Sequence, residues 1–322
     1  MKYAPVETRN RSHGSENYPR EHGSDGCAWG RPGALVLRAF GKISSYQSGA
    51  KNLFAPTARK RGPFYLILFA LVVCLVGCSS TENHLKHSQR PLRILPVGDS
   101  ITAGYTDNPS WRVPFEFGYR GPLFQMLRSN GIPVQFVGNC AEPWNGLWKV
   151  PTNQPTPDLR ALGQDHHEGH GAKATAFVAA HIGEWIETNQ PDVVLLMIGI
   201  NDIAAGSTTV PPSALTNLRA IVETIAQMRP ATHVIVAQTI PYTRPTPAIL
   251  ELNRFIRETL VPDFAARGVK ISTVDQFANF VSDPNSSAGD RSLYANGYNH
   301  PNAEGYRRMA ETWFNEIQNI IK

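Results

Sequence analysis

Cysteine is scarce in this chain: 322 residues contain four, namely Cys27, Cys74, Cys78 and Cys140. Only Cys140 lies in the C-terminal part, which carries regular hydrophobic patterns. A disulfide bond within that part is therefore excluded.

Basic residues are not in excess beyond residue 77. The formal net charge of the whole chain is +5. Residues 1–77 contain 11 Lys/Arg and 4 Asp/Glu, which gives +7, whereas the remainder contains 20 Lys/Arg and 22 Asp/Glu, which gives −2. A nearly neutral part without a Lys/Arg cluster argues against nucleic acid as a partner.

The chain also lacks an apolar run long enough to span a membrane. Its longest run, residues 64–76, has 13 residues, whereas a spanning helix needs about 20. Behind Arg59, Lys60 and Arg61, this run has the length of a signal-peptide core. It ends in Leu75-Val76-Gly77-Cys78, which resembles a bacterial lipobox. By that resemblance Cys78 is lipidated and becomes the mature N-terminus, where several acyl chains give stable anchoring. The alternatives are a short anchor helix and an ordinary cleaved signal.

These features predict four segments. Residues 1–57 are rich in Gly, Ser, Arg and Pro, and they precede a signal that normally starts a protein. We expect them to be a disordered extension or the product of a misassigned start. Residues 58–78 are the lipoprotein signal peptide, residues 79–90 are a polar tether, and residues 91–322 are one folded domain. The domain is then held at the cell envelope, on the periplasmic face or the cell surface, by its lipid anchor alone. It is secreted if the lipobox is not used.

Strand-like and helix-like patterns alternate along the whole domain. Short runs rich in Val, Ile and Leu predict strands at residues 92–97, 134–137, 193–198, 233–238 and 270–274. Apolar residues at three- and four-residue spacing predict helices at 121–129, 172–187, 213–228, 248–267 and 303–321. This alternation predicts an α/β fold, a three-layer α/β/α sandwich whose five-stranded parallel sheet has flavodoxin-like order. In such sheets functional sites lie outside the carboxyl ends of the strands.

Four polar segments follow predicted strands. Gly98-Asp99-Ser100 follows the first strand, and Gly199-Ile200-Asn201-Asp202 follows the third. Asn299-His300-Pro301 follows the fifth strand, and His167-Glu168-Gly169-His170-Gly171 lies between the second strand and the next helix. The topology should therefore bring all four segments to one edge of the sheet.

Together these segments resemble the four sequence blocks of the GDSL/SGNH hydrolases, and the resemblance covers residues 91–322. It implies that Ser100 is the nucleophile of an ester hydrolase and that His300 is the general base that takes its proton. The oxyanion hole would consist of the backbone N–H groups of Ser100 and Gly171 and the side-chain amide of Asn201. Gly169 is the alternative to Gly171. No cofactor is implied.

One departure from the family pattern concerns the acid that supports the histidine. The family usually has Asp three residues before the catalytic His, where this chain has Gly297. With one inserted residue, Asn296 fills that place, but it cannot carry the negative charge. Three alternatives remain: a Ser–His dyad suffices, a backbone carbonyl orients the imidazole, or another acid such as Asp290 reaches it.

The other polar residues of these blocks have simpler interpretations. We expect Asp99 to orient the nucleophile loop and Asp202 to brace the Asn201 loop. His166, His167, Glu168 and His170 resemble metal ligands, but their spacing is not that of a helical His-Glu-x-x-His motif, and the glycines favour a loop. We therefore expect no metal.

Within the superfamily the chain resembles carbohydrate esterase family three, which includes acetyl xylan esterases. The segments that carry the likeness are residues 94–102, 118–123 and 136–138 and the His-Glu-Gly loop, which is residues 167–171. The implied substrate is an acylated carbohydrate that loses small acyl groups, chiefly acetyl, and we expect a monomer. Trp144 and Trp148 either stack on sugar rings or pack their loop onto the domain. The rival interpretations are a lysophospholipase or thioesterase of the same fold and a non-enzymatic glycan-binding surface protein.

Overall fold

The computed structural model describes residues 90–105, 117–140, 159–283, 285–295 and 297–322. The predicted extension and signal peptide, with Cys78, and all of the predicted tether except Arg90 lie outside the described residues. So do Asn296, Trp144 and Trp148. Among the described helices, none combines the length and the hydropathy that a membrane crossing requires.

The sheet contains all five predicted strands. The strands are β1 Leu92–Gly98, β2 Val134–Phe136, β3 Glu168–Gly169, β4 Val193–Met197, β5 His233–Gln238 and β6 Ile271–Asp275. The long strands follow the order β2-β1-β4-β5-β6, and every pairing is parallel. The short strand β3, which the sequence did not predict, pairs with Val97 and Gly98 at the end of β1. Strand β4 is buried along its whole length, as expected where helices cover both faces.

Seven α-helices surround the sheet in the described part of the chain. They are α1 Ser100–Ala103, α2 Arg120–Ser129, α3 Thr175–Asn189, α4 Pro212–Met228, α5 Pro247–Phe255, α6 Val261–Ala266 and α7 Ala303–Ile320. Helix α3 packs against α4, and α2 packs against α7. The connection from β1 through α2 to β2 runs towards one edge of the sheet, whereas the connections through α3 and α4 run towards the other edge. Right-handed connections that run in opposite directions place their helices on opposite faces of the sheet. The predicted α/β/α sandwich with flavodoxin-like order is confirmed.

Two helices differ from their predicted bounds. The predicted helix 248–267 is divided into α5 and α6 by a π-helical turn, Ile256–Leu260. Pro262 has no N–H to donate to the carbonyl four residues earlier, and a π turn accommodates such a gap. Helix α3 begins three residues later than predicted, because Ala172 has a positive φ of 58° that a helix does not allow.

Candidate active site

The nucleophile candidate lies at the junction of β1 and α1. Ser100 is the first residue of α1, and the Asp99 side chain caps this helix by accepting the N–H of Ile101 at 2.9 Å. Gly98 ends β1, and a Cβ at this position would collide with Met197 O and Thr102 Oγ1. The glycine therefore lets the chain turn tightly beside β4 and places the Ser100 hydroxyl at the strand's carboxyl end.

The base candidate lies directly before α7. The His300 carbonyl accepts the N–H of Ala295 at 2.9 Å, and Asn302 caps α7 by accepting the N–H of Gly305 at 3.0 Å. His300 Nε2 lies 2.7 Å from Ser100 Oγ. In the tautomer that carries its proton on Nδ1, the imidazole accepts the Ser100 hydroxyl proton, which is the geometry of a general base. The fold therefore joins two residues that are 200 positions apart in the sequence.

Asn201 lies on a 3₁₀ turn, Ile200–Asp202, after β4. Its side-chain amide donates one hydrogen bond to Lys173 O at 3.0 Å, and an amide nitrogen carries a second N–H. The neighbouring Asp202 accepts the N–H and the hydroxyl of Thr175 at 2.9 and 2.6 Å. The turn that carries Asn201 is thus tied to residues 173–175, which follow the His-Glu-Gly loop. The expected bracing role of Asp202 matches these contacts.

The two glycine candidates of that loop have different surroundings. Gly169 belongs to β3, and its N–H donates to His167 Nδ1 at 2.9 Å. The following N–H, that of His170, donates to Gly98 O at 3.0 Å. Within the described part of the chain, the Gly171 N–H has no backbone acceptor. Gly171 lies against Tyr105, whose ring packs edge-on to His300 at 5.8 Å. The geometry therefore favours Gly171 over Gly169 as a donor to substrate.

Each of the four candidate residues comes after a strand: Ser100 follows β1, Gly171 follows β3, Asn201 follows β4 and His300 follows β6. Since all of these strands are parallel, their carboxyl ends meet at one edge of the sheet. The predicted convergence of the four segments matches this topology.

A comparison with protein-family models identifies the family of this chain. The model of the GDSL-like lipase/acylhydrolase family matches residues 97–308, a range that contains all four segments. The chain belongs to this family. The predicted family is thereby confirmed, and it is a family of carboxylic ester hydrolases.

Two curated proteins are similar to this chain at low sequence identity. A multidomain esterase of Ruminococcus flavefaciens is 23% identical over 279 residues, which cover 79% of this chain and 32% of that protein. A second curated relative, from Acetivibrio thermocellus, is covered to 58% of its length. The chain thus spans less than two thirds of these curated relatives.

Solved structures superpose on most of this GDSL-like chain. A family 3 carbohydrate esterase of Clostridium thermocellum has a TM-score of 0.53 at 24% identity, with 72% of this chain and 99% of that chain covered. An acetyl esterase with a serine-to-alanine mutation, solved with an acetate ion, has a TM-score of 0.54 at 19% identity, with 71% and 98% covered. A family 3 carbohydrate esterase of Talaromyces cellulolyticus has a TM-score of 0.52 at 19% identity, with the same coverage. At these identities the likeness establishes the fold.

Asp290 is one candidate for the acid that supports the catalytic histidine, but its described side-chain hydrogen bonds go to Ser282 and Ser292. This residue caps the turn Arg291–Leu293, and its carboxylate accepts the N–H and hydroxyl of Ser292 at 2.9 and 2.8 Å. Those bonds hold the pKa of the Asp290 carboxyl below its usual value. The other candidate, Asn296, lies outside the described residues.

The carboxyl group of Asp99, which caps α1, lies in the residue directly before the nucleophile. Asp99 is 1% exposed, and burial raises the pKa of this carboxyl to about 7. The hydrogen bond from the Ile101 N–H and the positive charge of protonated His300 act in the opposite direction, and Asp202 adds to the rise. Asp99 is therefore within electrostatic reach of His300.

The His-Glu-Gly loop contains one group of potential metal ligands in the described part of the chain: Cys140, Glu168 and His170. Glu168 is already bonded, because its carboxylate accepts the N–H of Asn139 at 2.5 Å and contacts His170 Nε2 at 2.9 Å. Cys140 Sγ lies 4.0 Å from Glu168 Oε2 and 3.9 Å from His170 Nε2. The buried Glu168–His170 pair links two residues of the loop that carries Gly171, and the N–H of His170 joins this loop to Gly98 O at the end of β1.

Proposed function

We propose that this chain is a serine esterase that removes small acyl groups, chiefly acetyl, from carbohydrate hydroxyls. The observation that carries the proposal is the 2.7 Å contact between Ser100 Oγ and His300 Nε2, at an edge where Asn201 and Gly171 supply N–H donors. The substrate class is supported by similar solved structures, which include carbohydrate esterases and an acetyl esterase solved with an acetate ion.

The reaction has two halves. His300 Nε2 takes the proton of Ser100 as Oγ attacks the acyl carbonyl, and the tetrahedral oxyanion accepts hydrogen bonds from Ser100 N–H, Gly171 N–H and the Asn201 amide. The C–O bond to the sugar breaks, and His300 returns the proton to the sugar oxygen. Water then attacks the acyl-enzyme, again losing its proton to His300, and releases the carboxylic acid with Ser100 restored.

The Asn201 amide suits this task because it is held before substrate arrives. Its bond to Lys173 O fixes the side chain, and the Asp202–Thr175 bonds fix the backbone around it. A donor that does not reorganise during the reaction stabilises the developing charge more than a mobile one.

Acetate release tests the proposal. The purified chain is incubated with acetylated xylan, and separately with p-nitrophenyl acetate, p-nitrophenyl palmitate and a lysophospholipid. We expect acetate from xylan and a strong preference for the acetyl ester, both lost in Ser100→Ala. A preference for the long-chain substrates would show a lysophospholipase or thioesterase instead. Binding of xylan without hydrolysis of any ester would show a glycan-binding protein.

We also propose that Cys78 carries a lipid anchor that keeps the enzyme at the cell envelope. The proposal is supported by the lipobox-like sequence behind a basic segment and an apolar run of 13 residues. A polar tether of about a dozen residues is long enough to hold the domain clear of a membrane surface.

A further inference from the structure

The active-site edge carries an exposed aromatic side chain. Four large apolar side chains are exposed among the described residues, namely Leu162, Met228, Tyr298 and Ile321. Tyr298 is the aromatic one, with 46% of its surface exposed, and it stands two positions before His300. It also lies in the stretch where this sequence departs from the family pattern.

The backbone on both sides of the Tyr298 ring is fastened to the segment after β5. Thr243 donates its N–H to Tyr298 O at 2.9 Å and its hydroxyl to Gly297 O at 2.6 Å. These two bonds hold consecutive carbonyl groups, so the exposed ring has a fixed base.

The ring itself rests on a second tyrosine. Its centroid lies 5.2 Å from that of Tyr242, at an interplanar angle of 46°. Tyr242 is buried, and its single hydroxyl proton is shared between Ile200 O and Ile203 O, each 3.0 Å from the hydroxyl oxygen. These carbonyl groups flank Asn201. Tyr298 is therefore coupled to the histidine loop through its backbone and to the Asn201 turn through Tyr242.

Two other tyrosines of this region, Tyr242 and Tyr294, have structural roles and are buried. Tyr242 is 4% exposed and Tyr294 is 5% exposed. Each directs its hydroxyl to a backbone carbonyl, which for Tyr294 is Pro241 O at 2.5 Å. Tyr298 differs from both in its exposure, since nearly half of its surface faces solvent.

We propose that Tyr298 is a sugar-binding platform that stacks on a pyranose ring adjacent to the acylated one. A pyranose has an apolar face of C–H groups and a rim of hydroxyls, and tyrosine combines an apolar ring with a polar tip. A ring fixed in advance loses little conformational freedom on binding. The inference rests on the proposed carbohydrate esterase activity and adds a preference for oligomeric over small acetyl esters.

The test compares kcat/KM on acetylated xylooligosaccharides with kcat/KM on p-nitrophenyl acetate. In Tyr298→Ala we expect the ratio of the two to fall about tenfold, chiefly through KM for the oligosaccharide. Tyr298→Phe keeps the ring and should keep the ratio. Met228→Ala, at the end of α4, removes another exposed apolar side chain and should leave both reactions at the wild-type level.

A ratio that stays at the wild-type value in Tyr298→Ala would overturn the platform while leaving the esterase intact. If the wild type cleaves neither substrate, the proposed activity itself fails. Should Tyr298→Ala not fold, Tyr298→Ser is used in its place. Binding of unacetylated xylooligosaccharide to the Ser100→Ala protein gives an independent measurement, in which the added Tyr298 substitution should weaken the affinity about tenfold. Unchanged affinity would also overturn the platform.

Discussion

A serine hydroxyl is a poor nucleophile until a base takes its proton, and the Ser100–His300 contact meets that need. The sequence predicted this pair because each residue follows a strand and carries a family motif. The sequence could not predict that the amide of Asn201 bonds to Lys173 O, since this contact depends on where two distant loops meet. It also could not predict the exposure of Tyr298, which depends on the packing of Tyr242.

The buried Asp99 carboxyl makes the stability of the domain depend on pH. Its pKa of about 7 in the folded state lies above the value of about 4 in an unfolded chain. The folded state then binds the proton more tightly, so the stabilisation is complete below pH 4 and is lost as the pH rises through 7. We expect Asp99→Asn, which keeps the acceptor for the Ile101 N–H, to remove this dependence.

Urea unfolding between pH 5 and pH 8 measures the effect. The free energy of unfolding of the wild type, relative to that of Asp99→Asn, should fall by roughly 3 kcal/mol over this interval. Titrating groups that do not interact with Asp99 cancel in the comparison, and repeating both measurements in the His300→Ala background removes the interacting imidazole. Parallel curves for the two proteins would show that Asp99 is ionised throughout.

The support of His300 is tested by two substitutions. Asp290→Asn keeps an acceptor for the Ser292 N–H and should leave kcat within about twofold, because the described bonds of Asp290 go to serines. Asn296→Asp should raise kcat at neutral pH, since a carboxylate in the family's acid position stabilises the protonated imidazole. A tenfold loss in a folded Asp290→Asn protein would show that Asp290 serves the histidine.

At the scale of elements, the strand ends are joined to one another by side chains. Asp202, after β4, holds Thr175 at the start of α3, and the Glu168 carboxylate ties β3 to the N–H of Asn139 after β2. A four-residue helix such as α1 could not keep the nucleophile in place alone. These links let short loops present a fixed set of donors.

The Asp202 link predicts a kinetic effect. Asp202→Ala removes two hydrogen bonds from Thr175 and loosens the segment that orients Asn201, so we expect kcat to fall about tenfold with KM changed by less than twofold. Removal of the donor itself, in Asn201→Ala, should cost about 10²–10³ in kcat. Asp263→Ala, which breaks the surface pair with Arg219, is the matched control and should retain the wild-type kcat. A change confined to KM in Asp202→Ala would contradict a positioning role.

Most elements were predictable because their patterns are long. The central strands β4 and β5 are rich in Val, Ile and Leu and are buried almost throughout. Four of the five predicted helices lie within about three residues of their predicted bounds. The strand β3 has only two residues, Glu168 and Gly169, which is too short for any periodicity. The apolar spacing did not predict the π turn after α5. Pro262 removes a backbone hydrogen bond to the preceding turn, and this loss does not change the spacing of apolar residues.

At the scale of the molecule, the last residue of the predicted tether, Arg90, is bonded to the folded domain. Arg90 forms two hydrogen bonds with the Asp192 carboxylate, at 2.7 and 2.6 Å, and Asp192 also accepts the Arg93 N–H. Because Arg90 is bonded to the folded domain, we propose that only residues 79–89 of the predicted tether link the domain to the anchor.

The anchor proposal predicts a change in cellular location. Cys78→Ser should move the protein from the membrane fraction to a soluble or precursor form, because the acylated residue is lost. Ser80→Ala, two residues further along, is the matched control and should stay with the membrane. Wild-type fractionation of Cys78→Ser, together with a native mass that shows no addition at Cys78, would refute the anchor.

The central claim is that His300 activates Ser100 as the nucleophile, and covalent labelling measures this most directly. The wild type is treated with diethyl p-nitrophenyl phosphate, and the labelled peptide is identified by mass spectrometry while hydrolysis of p-nitrophenyl acetate is followed. We predict one diethylphosphoryl group on Ser100 in proportion to lost activity, much slower labelling in His300→Ala, and none in Ser100→Ala. Each variant should lose activity, and the double variant should be little worse than either. Full inactivation with label on another residue, or wild-type turnover in folded Ser100→Ala, would contradict the account.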